Sequence, residues 1–186
     1  MIIGVKIIGS VIARLGSKRL TYKNLLPYNG IPLVRHAVQR LIESKLFEQV
    51  VLSTDSELIA RTCMDLDVAL LKRPPDLACD NTASIPVFRH IVDNYPCDIH
   101  LNYNCNFPIC DDSVFMEAIK ATQEHGESLS DPYAVWAQSK ETLHSYGDPM
   151  RITAVKFKTS KVHALDIHTM SDLISVHREN QKKLNW

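Results

Sequence analysis

Ile12-Ala13-Arg14-Leu15-Gly16-Ser17-Lys18-Arg19-Leu20-Thr21-Tyr22-Lys23-Asn24-Leu25-Leu26 is the stretch on which the reading of this chain turns. The residues before it, Val5 to Ile12, are mostly apolar and rich in β-branched side chains, which suits a short buried strand. Past that strand, Arg14, Lys18, Arg19 and Lys23 place four cations within ten residues, with Gly16 and Ser17 between them. Small residues let a backbone come close to a ligand, and exposed N–H groups with Lys and Arg heads make a cradle for phosphate oxygens. Open α/β sheets bind nucleotides at the carboxyl ends of their strands, which is where this loop falls. On charge alone, a solvated basic loop without a ligand accounts for the pattern as well. The spacing matches neither G-x-x-x-x-G-K-S/T nor G-x-G-x-x-G, so two common phosphate loops are excluded.

Outward from this stretch the chain alternates between strand and helix patterns. Pro32 to Ser44 opens with a proline suited to a first helical turn, and Leu33, Val34, Ala37, Val38, Leu41 and Ile42 recur at helical spacing. Val50 to Ser53 reads as a second buried strand. Ser53-Thr54-Asp55-Ser56 ends it and caps a helix predicted over about 57–66. Val68 to Leu71 is a third strand. The alternation predicts a mostly parallel α/β protein, a three-layer α/β/α sandwich in a single domain over 1–186.

The second half is less regular. Pro74 and Pro75 break the chain after Arg73, and Asp80, Asn81 and Thr82 offer caps for a helix over about 84–94. Asp98 to Tyr103 reads as a fourth strand of alternating type. Asp111 and Asp112 open a helix to about His125, where acidic groups favour the N-terminal dipole. Tyr133 to Ala137 and Ile152 to Phe157 read as strands, with Trp136 in the core. Thr169 or Ser171 caps a final helix whose first turn holds Asp172, and the polar tail 178–186 reads as its frayed end.

Lys+Arg and Asp+Glu are balanced at 21 each, so no global field points to nucleic acid or a membrane surface. Five cysteines without a C-x-x-C pair indicate neither a zinc knuckle nor a disulfide framework, and free thiols suit a reducing cytoplasm. The first residues carry no signal-peptide pattern, and no apolar run approaches spanning length. A soluble, cytoplasmic protein is expected.

Three motifs carry a resemblance. Ala13-Arg14-Leu15-Gly16-Ser17-Lys18-Arg19-Leu20, then Lys23-Asn24-Leu25 and Gly30-Ile31-Pro32-Leu33, resembles the nucleotide-binding signature of the acylneuraminate (CMP-sialic acid) cytidylyltransferases and their 3-deoxy-manno-octulosonate relatives. Arg73 to Ser84 looks like that family's R-P-x-x-L-A-x-D-x-T-x-S element, and Asp166-Ile167-His168-Thr169 through Asp172-Leu173 like its D-I-D-T-x-x-D-L element. The likeness covers about 5–125 and 163–178.

The resemblance implies a nucleotide-diphospho-sugar transferase-like, Rossmann-like fold and transfer of CMP from CTP to a sugar acid. Arg14, Lys18 and Lys23 would then hold the triphosphate, with Ala13, Gly16, Ser17 and Arg19 completing the loop. Asn24, Arg73, Ser84 and Asn104 would line the nucleoside pocket, and Asp80 would order its loop. Magnesium is the implied cofactor, with Asp166, His168 and Asn106 as its candidate ligands. Asn106 stands where the octulosonate branch has an aspartate, and His168 replaces the second acid of the late motif. A neutral amide is the weaker Mg²⁺ ligand, and a histidine prefers softer ions, so a protonated His168 contacting phosphate is the other option. Longer members add a segment that pairs with a second subunit and closes the sugar pocket. The corresponding region here, about 127–162, is short and lacks R-x-N-G-x-x-Y, which leaves a homodimer and the acceptor open. The alternatives are a nucleotide-binding relative with little catalysis, or a nucleotidyltransferase with another nucleotide or acceptor.

Overall fold

Strand β1 (Ile7–Ile12) runs up the middle of the sheet, and its first five residues are buried. Gly9 within it is there for a close approach: a Cβ would stand 2.9 Å from the Phe47 ring. The structure, a computed structural model, describes residues 4–183. Residues 1–3 and 184–186, on which the readings of the first residues and of the frayed tail partly rest, lie outside those described.

After β1 come a two-strand hairpin, β2 (Pro27–Tyr28) and β3 (Ile31–Pro32), then α1 (Leu33–Ser44), β4 (Gln49–Thr54), α2 (Glu57–Arg61) and β5 (Ala69–Lys72). Asn29 and Gly30 turn the hairpin, both at positive φ (51° and 82°), the pairing a two-residue turn of this hand demands. There follow α3 (Ser84–Asn94), β6 (Ile99–Tyr103), α4 (Ser113–His125), β7 (Glu127–Asp131), β8 (Val135–Ser139), α5 (Lys140–Ser145), β9 (Val155–Lys158) and α6 (Met170–Lys183).

The sheet order is β5-β4-β1-β6-β8-β7-β9. β5, β4, β1 and β6 pair in parallel, and β8 is antiparallel to both of its neighbours. On one face α1 and α4 pack Val38, Leu41, Phe115 and Ile119 against Val11, Leu52 and Leu101. On the other, α3 and α5 pack Phe88, Ile91 and Leu143 against Ile8, Val51 and Trp136. These are the three layers expected. A smaller apolar cluster joins Ile167, Leu173 and Val176 to Leu20, Tyr28 and Leu33, which holds α6 against the basic loop and the hairpin.

Several expectations need correction. α2 stops at Arg61 rather than near 66, although Ser56 caps it, accepting from the Ile59 N–H. β6 is buried along its whole length because it lies between β1 and β8, so alternation along it does not mark a solvent face. β7 was not anticipated: Glu127, Ser128 and Ser130 are polar yet buried, satisfied by Trp136, Ala118 and Pro132. α3 spans the expected residues but begins after Ala83 with no side-chain cap, and Asp80 is engaged elsewhere. Asp112 pairs with Arg40 (2.5 Å), while Asp111 accepts from the Ser113 N–H. Asp172 behaves as expected, receiving the N–H groups of His168 and Thr169 (3.0 and 2.7 Å).

Phe88 is fully buried, with ring centroids 4.8 Å from His100 and 5.4 Å from Trp136. Phe88→Ala is expected to lower unfolding free energy by about 3–5 kcal/mol in urea titration. A loss under about 1 kcal/mol would show that this face of the sheet is loosely packed.

Candidate functional site

The basic loop is fixed at its start by the sheet. Ala13 donates its N–H to the Ser53 carbonyl (3.0 Å), which carries the β1–β4 pairing one residue past the strand. Its side chain is buried in the core, so Ala13 shapes the loop without facing a ligand. Leu15 N–H donates to Asp55 (3.1 Å), and the Asn24 amide donates to the Arg14 carbonyl (2.9 Å), stapling the two ends of the loop together. Asn24 also receives the Cys105 thiol (3.3 Å) just past β6. Lys23 starts a short 3-10 turn and reaches the Ile167 carbonyl (3.2 Å). Burial lowers its ammonium pKa, with the nearby Asp166 charge among the influences acting the other way.

The Arg73–Ser84 segment lies opposite. Arg73 is only 5% exposed and donates to the Ser53 hydroxyl (3.2 Å) and carbonyl (2.7 Å), and burial pushes its pKa down to about 10. The guanidinium stays charged at neutral pH and ties this segment to the end of β4. Asp80 crosses to the basic loop, pairing with Arg14 and with Lys18 (2.7 Å). Those two donors hold its carboxyl below the usual carboxylate range. The third motif closes the rim. Arg19 donates to His168 Nδ1 (2.6 Å), which places the ring proton on Nε2, and that N–H donates to Asp166 (2.7 Å). Asn106 accepts the Ile167 N–H through its carbonyl (3.1 Å), so the exit of β6 and the late motif are bonded directly.

All the residues nominated from sequence line one cavity of about 440 Å³ except Ala13 and Asp166. Its lining combines the cations Arg14, Lys18, Arg19 and Lys23 with the apolar Ile12, Leu77, Val87 and Tyr133. Sequence reading missed Ile12, Tyr133 and above all Asn102, which also line the cavity. The signal was present: His100 and Asn102 alternate along an otherwise apolar strand, which puts both on one face.

Mg²⁺ takes hard oxygen ligands, and often only one or two protein carboxylates with substrate phosphates and waters. Asp166 suits that role, because its Oδ1 is buried and has no hydrogen-bond partner among the described residues. His168 does not, since both ring nitrogens are spent on Arg19 and Asp166, and the same bonds exclude the imidazolium–phosphate option in this arrangement. Among the described residues no group of three His, Cys, Asp or Glu is placed to hold a metal. The donor set therefore fits an ion carried largely by phosphate.

A family model described as cytidylyltransferase matches residues 8–184. The chain belongs to the cytidylyltransferase family. An N-acylneuraminate cytidylyltransferase of Streptococcus agalactiae serotype V is 34% identical over 85 residues, 45% of this chain and 21% of that protein. A 3-deoxy-manno-octulosonate cytidylyltransferase of Chlorobaculum parvum is 28% identical over 143 residues, 77% of this chain and 56% of that protein. The match to the first of these spans about a fifth of its length. A CMP:2-keto-3-deoxy-manno-octonic acid synthetase solved with CTP superposes with a TM-score of 0.81 at 14% identity, covering 96% of this chain and 99% of the other. That likeness speaks to the fold. Residues of all three sequence motifs line the cavity. Among the described residues no helix is long and apolar enough to cross a membrane.

Asp80 neutralises two of the loop's cations, so Asp80→Asn is expected to strengthen pyrophosphate binding by about two- to fivefold, the scale of one exposed ion pair, in calorimetric titration. Unchanged or weaker binding would show that Arg14 and Lys18 do not meet the anion. The same carboxyl has a folded pKa below its unfolded value of about 3.9, so the stability it gives is present above that value and is lost as pH falls through the folded pKa. Acid unfolding of Asp80→Asn should lack this component.

Proposed function

We propose that the chain transfers CMP from CTP to a sugar acid, releasing pyrophosphate. One observation carries the reading: four cations, an apolar slot and the Arg73–Ser84 segment share a single cavity at the carboxyl ends of parallel strands. A triphosphate laid along the cationic side directs its base toward Ile12, Val87 and Tyr133.

The acceptor hydroxyl attacks the α-phosphorus in line. A P–O bond forms, the bond from the α-phosphorus to the pyrophosphate oxygen breaks, and the hydroxyl proton is lost to solvent. Such transfer depends on positioning and on neutralising charge. Arg14 and Lys18 meet the leaving pyrophosphate once Asp80 yields them. Lys23, half-buried and fixed on the Ile167 carbonyl, holds a charge where little water screens it. Arg19 is oriented by His168 and closes the rim. Asp166, with Asn106 near by in the exit of β6, would hold Mg²⁺, which would supply positive charge to the phosphates. The sialic-acid and octulosonate enzymes among the relatives support a sugar acid as acceptor class.

A second reading has a specific motive. The Arg19–His168–Asp166 chain engages one oxygen of the acid nominated for a metal, which suits a nucleotide-binding relative with little turnover. Pyrophosphate release from CTP, Mg²⁺ and a panel of sugar acids separates the two. The enzyme reading expects release that falls about a hundredfold or more in Arg14→Ala and in Lys23→Met, with unfolding midpoints little changed. Full release by Arg14→Ala would remove that residue from the mechanism. Stabilisation by CTP without release across the panel would favour the second reading.

A further inference from the structure

The polar residues that β6 carries into the core form a chain that ends at the cavity. Ser10 on β1 and Asn102 on β6 are register partners, and the Ser10 hydroxyl donates to Asn102 Oδ1 (3.3 Å). The same hydroxyl oxygen lies 2.8 Å from His100 Nε2, and His100 Nδ1 lies 3.2 Å from the Gln138 carboxamide. Ser10, His100 and Gln138 are at most 1% exposed, and the Phe88 ring lies against that of His100. Burying these polar groups without partners would be costly, so their donors and acceptors must be ordered consistently.

With the Ser10 hydroxyl donating to Asn102 Oδ1, the order of the remaining bonds follows from counting protons. A hydroxyl has one hydrogen, and Ser10 gives it to Asn102, so Ser10 Oγ must receive the N–H of His100 Nε2. His100, whose burial pushes its pKa down to about 4, is neutral and therefore shows Gln138 a lone pair at Nδ1. The Gln138 –NH₂ group has no partner among the described residues, and half a turn of the carboxamide gives it that lone pair. The chain then runs one way: Gln138 to His100, His100 to Ser10, Ser10 to Asn102 Oδ1. With Oδ1 engaged, the group Asn102 offers to the cavity it lines is its –NH₂.

We infer that Asn102 is a specificity-determining residue, fixed by Ser10 and His100 as a hydrogen-bond donor to the nucleobase. A donor aimed at the pairing edge of a pyrimidine donates to a ring nitrogen with a lone pair, as in cytosine, and opposes one that carries hydrogen, as in uracil. The inference rests on the reading that the cavity holds a nucleoside triphosphate with its base toward the apolar side. Ser10 and His100 are positioning residues, since neither meets the ligand. Ile12, Val87 and Tyr133 supply the surface that excludes water from the pair.

The test measures dissociation constants by calorimetry for CTP, UTP and the triphosphate of pyrimidin-2-one riboside, which keeps the ring lone pair but lacks the exocyclic amine. The wild-type chain is expected to bind CTP and the pyrimidinone alike and UTP at least about tenfold more weakly, because a buried donor facing a donor is left unpaired. Asn102→Leu should bring all three together by weakening the first two. Ser10→Ala, which releases the amide to rotate, should narrow the CTP-to-UTP ratio, a change that a merely structural role for Ser10 would not cause. Weak binding of the pyrimidinone, equal to that of UTP, would overturn the inference, since the base would then be read through its amine. A ratio unchanged in both variants would overturn it too. Failure of the wild-type chain to bind any triphosphate would defeat the parent reading and this inference with it.

Discussion

Parallel pairing of β4 and β6 on either side of β1 makes three strands finish on one edge of the sheet, and the rest of the molecule follows from that alignment. Arg14, Asp55 and Asn104 are distant in the chain yet leave the sheet side by side, because parallel strands cannot be joined by short turns and each must be led away by a helix and brought back. The edge is then crowded with like charge. Four cations in a chain of zero net charge would repel one another if left bare. They are held by Asp80, by the Ile167 carbonyl and by the lone pair of His168.

The late motif is attached by a mixture of forces. Ile167, Leu173 and Val176 bury apolar surface against Leu20, Tyr28 and Leu33, each such side chain contributing on the order of 1.5–3 kcal/mol. That burial supplies the affinity of α6 for the body, while Arg19–His168–Asp166 and the backbone bond from Ile167 to Asn106 fix its register. Exposed pairs contribute little on their own, so the apolar contacts hold the wall and the polar ones aim it.

Much of this was legible in the chain. Apolar patterning located α1 and the parallel strands, cap-forming residues after the prolines placed α3, and the order of the motifs named the family. What could not be read was anything decided by a neighbour from elsewhere in the sequence. β7 is polar at every position but Leu129, and Trp136, Ala118 and Pro132 satisfy the side chains it buries. Asp80 looks like a helix cap locally, and it is two cations from another loop that claim it. His168 sits where the motif has an acid, and its real partners lie two and 149 residues away. The polar alternation of His100 and Asn102 was visible, but its meaning depends on Ser10 and Gln138 on the strands to either side.

The bond from Ser10 to Asn102 spans 92 residues, and that from Arg19 to His168 spans 149. Loops of such length close at an entropic cost that rises with the logarithm of their size, and folding slows as partners become more remote. On a ribosome adding about 5–20 residues per second, the basic loop is therefore made roughly 7–30 s before the histidine that holds its outermost arginine. Asp80 and the strand that carries Asn102 emerge within that interval, so Arg19 and Lys23 are the last of the loop's cations to meet their partners.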